Sequence, residues 1–123
     1  MSLPANLVTI HPYFKVHPGK WAEAEAILGE FVAATKNEDK DQCLFYEFTV
    51  NGDEVFCREG YVGAAGVLAH LDNVGAVIGK MLEVSEMTRL EFHGTAAELD
   101  QLREPLAHLG ASYFAWHSGL PRA

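Results

Sequence analysis

The residues of this chain best suited to chemistry are one carboxylate, one histidine and two tyrosines near its middle. Glu59 lies in an alternating stretch and shares a face with Tyr46 and Tyr61 if the neighbouring stretches pair as strands. A carboxylate on an otherwise apolar face loses hydration, which raises its pKa and lets it act as an acid or a base. The spacing therefore predicts a proton-transfer site that Tyr46 and Tyr61 line.

Two histidines extend this candidate site. His70 falls on the flank of an apolar helical stripe, where a group that titrates near neutral pH suits a base or hydrogen-bond donor at a pocket mouth. His11 is a candidate substrate-binding residue and, like His93, is expected to face either a barrel interior or a partner chain. Structural roles stay open for all of these residues, because Glu59 can be tied to a backbone amide or a tyrosine hydroxyl, and the tyrosines can be packing residues.

The sequence predicts neither a metal ion nor a cofactor. The six histidines lack an i, i+4 or H-x-H spacing, and the glycines lack the strand-G-x-G-x-x-G-helix context of a phosphate-binding loop. Cys57 reads as a small core residue. Cys43 and Cys57 are expected on opposite faces of a sheet, as reduced thiols.

A predicted β-hairpin positions Glu59 and the tyrosines. Its strands are Cys43–Val50 and Val55–Val62, and Asn51-Gly52 between them is a strong turn signal. A four-residue loop is the preferred register, because it places Glu47 directly opposite Arg58 on the face away from the tyrosines.

The remaining patterns complete one α+β domain. Periodicity predicts strand 7–16, helix 19–35, helix 63–82 with a break near Asn73 and Gly75, strand 87–93, helix 96–102 with Thr95 as N-cap, and an aromatic tail at 112–118. The tail is expected to form a fifth strand or to reach a partner. The order β-α-β-β-α-β is typical of the ferredoxin-like split βαβ fold, an antiparallel sheet with helices on one side.

Composition limits the partners. The 123 residues suit a single domain, 1–123, and a formal charge of −8 with scattered basic residues excludes nucleic acid and anionic membranes as expected partners. Apolar runs are too short for a membrane span, so a cytoplasmic protein is expected. The open sheet face carries Phe45 and Phe56, which predicts a homodimer that closes sheet against sheet.

Residues 7–94 resemble the antibiotic biosynthesis monooxygenase (ABM) domain family, the dimeric α/β barrels. The resemblance rests on four features in the right order: Val16-His17-Pro18-Gly19-Lys20, Glu38, Tyr46-Glu47, and Glu59-Gly60-Tyr61 followed by Ala69-His70. The helix and tail at 95–123 lie outside the shared pattern.

The resemblance implies a cofactor-independent monooxygenase of an aromatic or quinol-type small molecule, with His70 and Glu59 in proton transfer and Tyr46, Tyr61 and His11 binding substrate. The alternative is a non-catalytic dimeric barrel that binds a small apolar ligand or acts in stress response. Haem-degrading members resemble one another in a tryptophan and a histidine around the second helix. Trp21 and Trp116 are the only tryptophans of this chain and lie elsewhere, which argues against haem.

Overall fold

The computed structural model describes residues 3–122; the other three residues of the predicted 1–123 domain lie outside the described part. Its elements are β1 Leu7–Val16, α1 Trp21–Thr35, β2 Cys43–Asn51, β3 Glu54–Val62, α2 Gly63–Val84, β4 Ser85–Gly94, α3 Ala96–Arg103, a short 3-10 turn Ala107–Leu109, and β5 Ser112–Ala115. Within the described chain, α2 is the longest helix, and neither it nor the others has the length and apolar character of a membrane span.

The five strands form one sheet in the order β2-β3-β1-β4-β5. β1 runs antiparallel to both β3 and β4, and β5 adds to the edge in parallel with β4. α1 and α2 pack on one face of the sheet, which is the predicted ferredoxin-like α+β arrangement. The tail therefore supplies a fifth strand to the sheet of its own chain.

β1 is a central strand that accommodates a proline. Val8, Ile10, Phe14 and Val16 alternate toward the helices and are buried. In the pairing with β3, His11 and Pro12 have no partner between the pairs Ile10–Glu59 and Tyr13–Phe56. In the pairing with β4, the register shifts after Tyr13. This irregularity lets Pro12 sit in a central strand despite its missing N–H.

The predicted hairpin register is confirmed. Glu47 lies opposite Arg58, and the two side chains form an exposed ion pair at 3.5 Å. Pairing continues one step further than predicted, to Asn51 and Glu54, which leaves a two-residue loop. Gly52 opens that loop with φ +63°, a conformation that glycine adopts at little cost.

The prediction for the two cysteines is wrong in one respect. The register of β2 shifts between Cys43 and Phe45: Cys43 pairs with Tyr61, and Phe45 pairs with Gly60, the residue just before Tyr61. The extra residue reverses the alternation, and Cys43 packs against the core under the helices, the side that Cys57 also faces. Both cysteines are free thiols.

The predicted break in the second helix is also wrong, because α2 continues through Asn73 and Gly75. The Asn73 amide donates to the backbone oxygen of Ala34 at 3.1 Å, and the next residue, Val74, is buried against α1. These contacts outweigh a propensity cost of about 1 kcal/mol for glycine in a helix.

Two glycines of α2 provide a matched test of this packing. A Cβ at Gly66 would lie 3.1 Å from the backbone oxygen of Gln42 and 3.2 Å from Cβ of Tyr61, whereas one at Gly75 meets nothing within 4 Å. We expect Gly66→Ala to lower the free energy of unfolding by about 1–3 kcal/mol and Gly75→Ala to raise it by about 0.5–1 kcal/mol. Urea denaturation measures both; equal effects would contradict the close packing of α2 on β3.

Candidate functional site

A cavity of about 60 Å³ lies between the sheet and α2. Most of its lining is aliphatic or aromatic, from the strands, both long helices and the turn that follows α3. The polar side chains in the lining are few and lie on β2, β3 and α2: Tyr46, Cys57, Glu59 and His70. The cavity is therefore apolar with one polar group of side chains.

Strand alternation and one helical turn bring this polar group together. Tyr46 and Glu59 are paired across β2 and β3, and Tyr61 lies two residues further on the same face. α2 begins directly after β3 and returns over it, which places the His70 ring 5.1 Å from the Tyr46 ring and 4.9 Å from the Tyr61 ring, centre to centre. The structure thus unites the predicted residues His70, Glu59, Tyr46 and Tyr61.

Glu59 is the carboxyl group at the centre of the site. It is 5% exposed, and the Tyr61 hydroxyl donates a hydrogen bond to its Oε1 at 2.7 Å. Burial raises the pKa of Glu59 to about 7; hydrogen bonds from Tyr61 and Cys57 oppose the rise, and the negative charge of Glu38 adds to it. Glu59 therefore exchanges its proton near neutral pH.

His70 is held between two carboxyl groups. Its Nδ1 lies 2.7 Å from Oε2 of Glu38, and its Nε2 lies 3.5 Å from Oε1 of Glu59. Burial lowers the pKa of His70, while the charge and hydrogen bond of Glu38 raise it in opposition. The Glu38 oxygen beside Nδ1 also accepts a hydrogen bond from the Asn73 amide, so it is an ionised acceptor that carries no hydrogen of its own. We therefore assign the ring hydrogen of His70 to Nδ1. The Nε2 lone pair then faces Glu59.

Glu38 is a candidate functional residue that the sequence analysis did not predict. It marks the polar loop before β2 in the family pattern, but nothing in the local spacing links it to a histidine 32 residues later. The contact arises because the end of α1 packs beside α2, where Asn73 donates to both Ala34 and Glu38.

The remaining polar side chains of the site stay neutral. Burial raises the pKa of Tyr46 and of Tyr61 far above the ordinary value, and it does the same for the Cys57 thiol. Cys57 is therefore a weak hydrogen-bond donor to Glu59 rather than an activated nucleophile. Tyr46 offers an uncharged hydroxyl donor at the cavity wall, whereas Tyr61 lies behind the wall and donates its hydrogen to Glu59.

His11 lies on the opposite face of the sheet, away from this cavity. Its Nε2 is 2.8 Å from the Thr9 hydroxyl, and its ring lies 4.3 Å from that of His93, whose Nε2 is 2.8 Å from Oε1 of Glu91. In β1 the odd-numbered positions from Thr9 to Lys15 point away from the helices, so the structure does not bring His11 to the other predicted residues. Among residues 3–122 no three histidine, cysteine or acidic side chains are placed to hold a metal ion.

Comparison with solved structures identifies the fold. A protein from Caulobacter crescentus CB15 named "putative antibiotic biosynthesis monooxygenase" has a TM-score of 0.61 and 22% identity, over 72% of this chain and 88% of that one. A Bacteroides thetaiotaomicron protein described as "possible oxidoreductase" has a TM-score of 0.63 and 19% identity, over 72% and 96%. The fold is that of the ABM-like proteins, as the sequence resemblance predicted.

MupZ from Pseudomonas fluorescens is similar over nearly the whole of both chains. The TM-score is 0.88 and the identity is 32%, with 95% of each chain covered. The chain belongs to the same family as MupZ. The match to MupZ therefore includes most of the segment after Gly94. The matches to the two ABM-like structures cover 72% of this chain, which is too little to include both β1–β4 and the whole of that segment. No family model and no curated protein matches.

Glu59→Gln tests the cost of burying the carboxyl group. The folded pKa of about 7 exceeds the ordinary 4.5, so the unfolded chain ionises first and stability falls as pH rises from about 4.5 to 7. Glutamine cannot ionise, and we expect its advantage in the free energy of unfolding to grow by about 3 kcal/mol between pH 4 and pH 8.

Urea denaturation of both proteins at the two pH values measures this difference. Glu47→Gln, at an exposed site on the other face, is the control and should show little pH dependence. A Glu59→Gln advantage that is the same at both pH values would contradict the raised pKa.

Proposed function

We propose that the chain is an acid–base enzyme that acts on a small, uncharged and largely apolar molecule. The observation that carries this proposal is the buried Glu59, whose pKa is about 7, beside the unprotonated Nε2 of His70 at the wall of an apolar cavity. A group with a pKa near the working pH both donates and accepts protons efficiently. Neutral Tyr46 supplies a donor to a substrate oxygen, and Tyr61 holds Glu59 from behind the cavity wall.

The reaction we propose is cofactor-independent oxygenation of an aromatic or quinol-type ring. In an anthrone-type substrate a base removes a proton from the activated ring CH₂, and the carbanion passes one electron to dioxygen before the two radicals combine in a C–O bond. The outer oxygen takes up a proton to give a hydroperoxide. Loss of the second C–H proton then breaks the O–O bond and expels water, which leaves a ketone. The names of the ABM-like structures support this reaction class, and Glu59 and His70 provide the proton transfers.

The lining supports an uncharged substrate. Lysine and arginine are absent from the residues that line the described cavity, and its one carboxyl group is half protonated near neutral pH. The volume of about 60 Å³ is below the roughly 150 Å³ of a cavity that holds benzene. We therefore expect a side chain of the wall to move on binding, and Leu109 on the turn after α3 is the candidate because it is partly exposed.

A non-catalytic barrel that binds a small apolar ligand is the second candidate. The almost wholly apolar lining favours it, because apolar burial alone gives affinity for such a ligand. In that case Glu59 and His70 orient the ligand and no bond is changed.

Oxygen uptake with a panel of quinols and anthrones separates the two candidates. We expect uptake by the wild type and a loss of about 10²- to 10⁴-fold in His70→Ala and in Glu59→Gln, because each removes a placed acid or base. His17→Ala, at an exposed position outside the cavity, is the matched control and should retain full activity.

Binding of the panel without any conversion would support the non-catalytic candidate. Conversion without oxygen uptake would contradict oxygenation and assign the site to proton transfer alone.

We further propose that two copies pair through the sheet face that the helices leave open. The rings of Tyr13 and Phe56 are in contact on this face, tilted by 33° with 4.8 Å between their centres. Glu91 is 6% exposed there and already paired with Arg89 and His93, so a second copy can cover it without burying an unpaired charge.

Light scattering at micromolar concentration tests this pairing. We expect a dimer for the wild type and a monomer for Phe56→Glu, because an unpaired charge is expelled from an apolar interface. Leu82→Glu, which changes an exposed leucine on α2, should remain dimeric. Circular dichroism checks that both variants are folded, and a monomeric wild type would contradict the proposal.

A further inference from the structure

We propose that Glu38 is a positioning residue for His70 and the outer end of a proton path that joins Glu59 to solvent. The proposal rests on the proposed function in that Glu59 changes its protonation state during turnover. It adds a route for the proton and a residue that acts through His70 without touching the substrate.

The path consists of three groups in a row. Tyr61 fixes the Oε1 atom of Glu59, and that atom lies 3.5 Å from Nε2 of His70. On the other side of the ring, Nδ1 lies 2.7 Å from Oε2 of Glu38. The imidazole therefore lies between the two carboxyl groups, with one nitrogen toward each. Nδ1 is at hydrogen-bond distance from Glu38, and Nε2 must come about 0.5 Å closer to Glu59 for a proton to pass across the ring.

Glu38 connects this row to the surface. Its side chain is 10% exposed, against 2% for His70 and 5% for Glu59. It lines a groove of about 730 Å³ between the end of α1 and β2, together with Thr35, Lys36 and Lys40. Asn73 holds the same Oε2 atom at 2.7 Å, so the orientation of the carboxylate toward His70 is fixed from α2 as well.

Other neighbours of Glu59 are poor carriers of its proton. The groups around Glu59 and His70 are the tyrosines Tyr46 and Tyr61, the thiols of Cys43 and Cys57, and Glu38. The pKa of each tyrosine and each thiol is raised chiefly by burial, so an anionic form is costly. A ligand in the cavity would also keep water from Glu59. The route through His70 to Glu38 remains.

The proton steps balance along this row. A proton on Glu59 moves to Nε2, the Nδ1 proton moves to Glu38, and Glu38 releases it to water; His70 is left with its hydrogen on Nε2. The reverse sequence takes a proton from water and returns it to Glu59, which restores the starting tautomer. A reaction that first removes and later returns a proton uses both directions once.

An infrared pH-jump experiment on the free protein tests the path without any substrate. The band of the protonated Glu59 carboxyl group, identified by its absence in Glu59→Gln, reports how fast this group reaches its new equilibrium. We expect Glu38→Gln to slow that relaxation at least about tenfold, because the amide cannot take up the proton. Glu30→Gln, an exposed glutamate of α1 paired with Lys80, is the control and should relax as the wild type does.

Nitrogen-15 NMR of His70 tests the positioning role separately. We expect the Nδ1–H tautomer in the wild type and in Glu38→Gln, whose amide oxygen still accepts the hydrogen bond, and loss of this preference in Glu38→Ala. Wild-type relaxation in Glu38→Gln, or an unchanged tautomer in Glu38→Ala, would overturn the proposal. Absence of turnover with every substrate would overturn the proposed function and leave both of these measurements unaffected.

Discussion

The burial of the Glu59 carboxyl group is the constraint on which the rest of the site depends. Removal from water raises its pKa to about 7, an energetic cost of roughly 3 kcal/mol at high pH that the fold must offset elsewhere. Tyr61 and Cys57 reduce this cost by donating hydrogen bonds, but they do not cancel it. A carboxyl group that is kept out of water beside a histidine at a cavity wall is a candidate for acid–base chemistry.

The packing of the core explains where this group can be tolerated. The buried apolar residues form two clusters, one under α1 and the second half of α2, the other under α3 and the first half of α2. The cavity touches members of both clusters, and Glu59 and His70 lie between them. Residues of each cluster that line the cavity are Ile10 and Phe92 on one side and Phe14, Phe31 and Val74 on the other.

Alternation was enough to predict which strand residues share the site. From Tyr46 to Tyr61 the hairpin keeps its register, so parity alone places Tyr46, Glu59 and Tyr61 on one face. The same argument assigned Cys43 to the wrong face, because a β-bulge adds one residue to β2 and no pattern in the local sequence predicts it. Glu38 was beyond reach for a different reason. Its role depends on how α1 and α2 pack, and no short-range pattern reports the contact between residues 32 positions apart.

The segment after Gly94 supports the start of α2 and one part of the cavity wall. Glu98 accepts a hydrogen bond from the Ala64 amide at the start of α2, where the helix dipole favours a negative charge. Leu99, Leu102 and Leu106 complete one core cluster, and Leu109 reaches the cavity wall. The acid–base candidates thus come from the part of the chain that has the ABM-like pattern, whereas the segment that the match to MupZ includes contributes Leu109 to the cavity wall. Under the proposed function, a change in this segment would alter the shape of the cavity at Leu109 and leave Glu59 and His70 in place, so proteins that share the acid–base groups can differ in substrate.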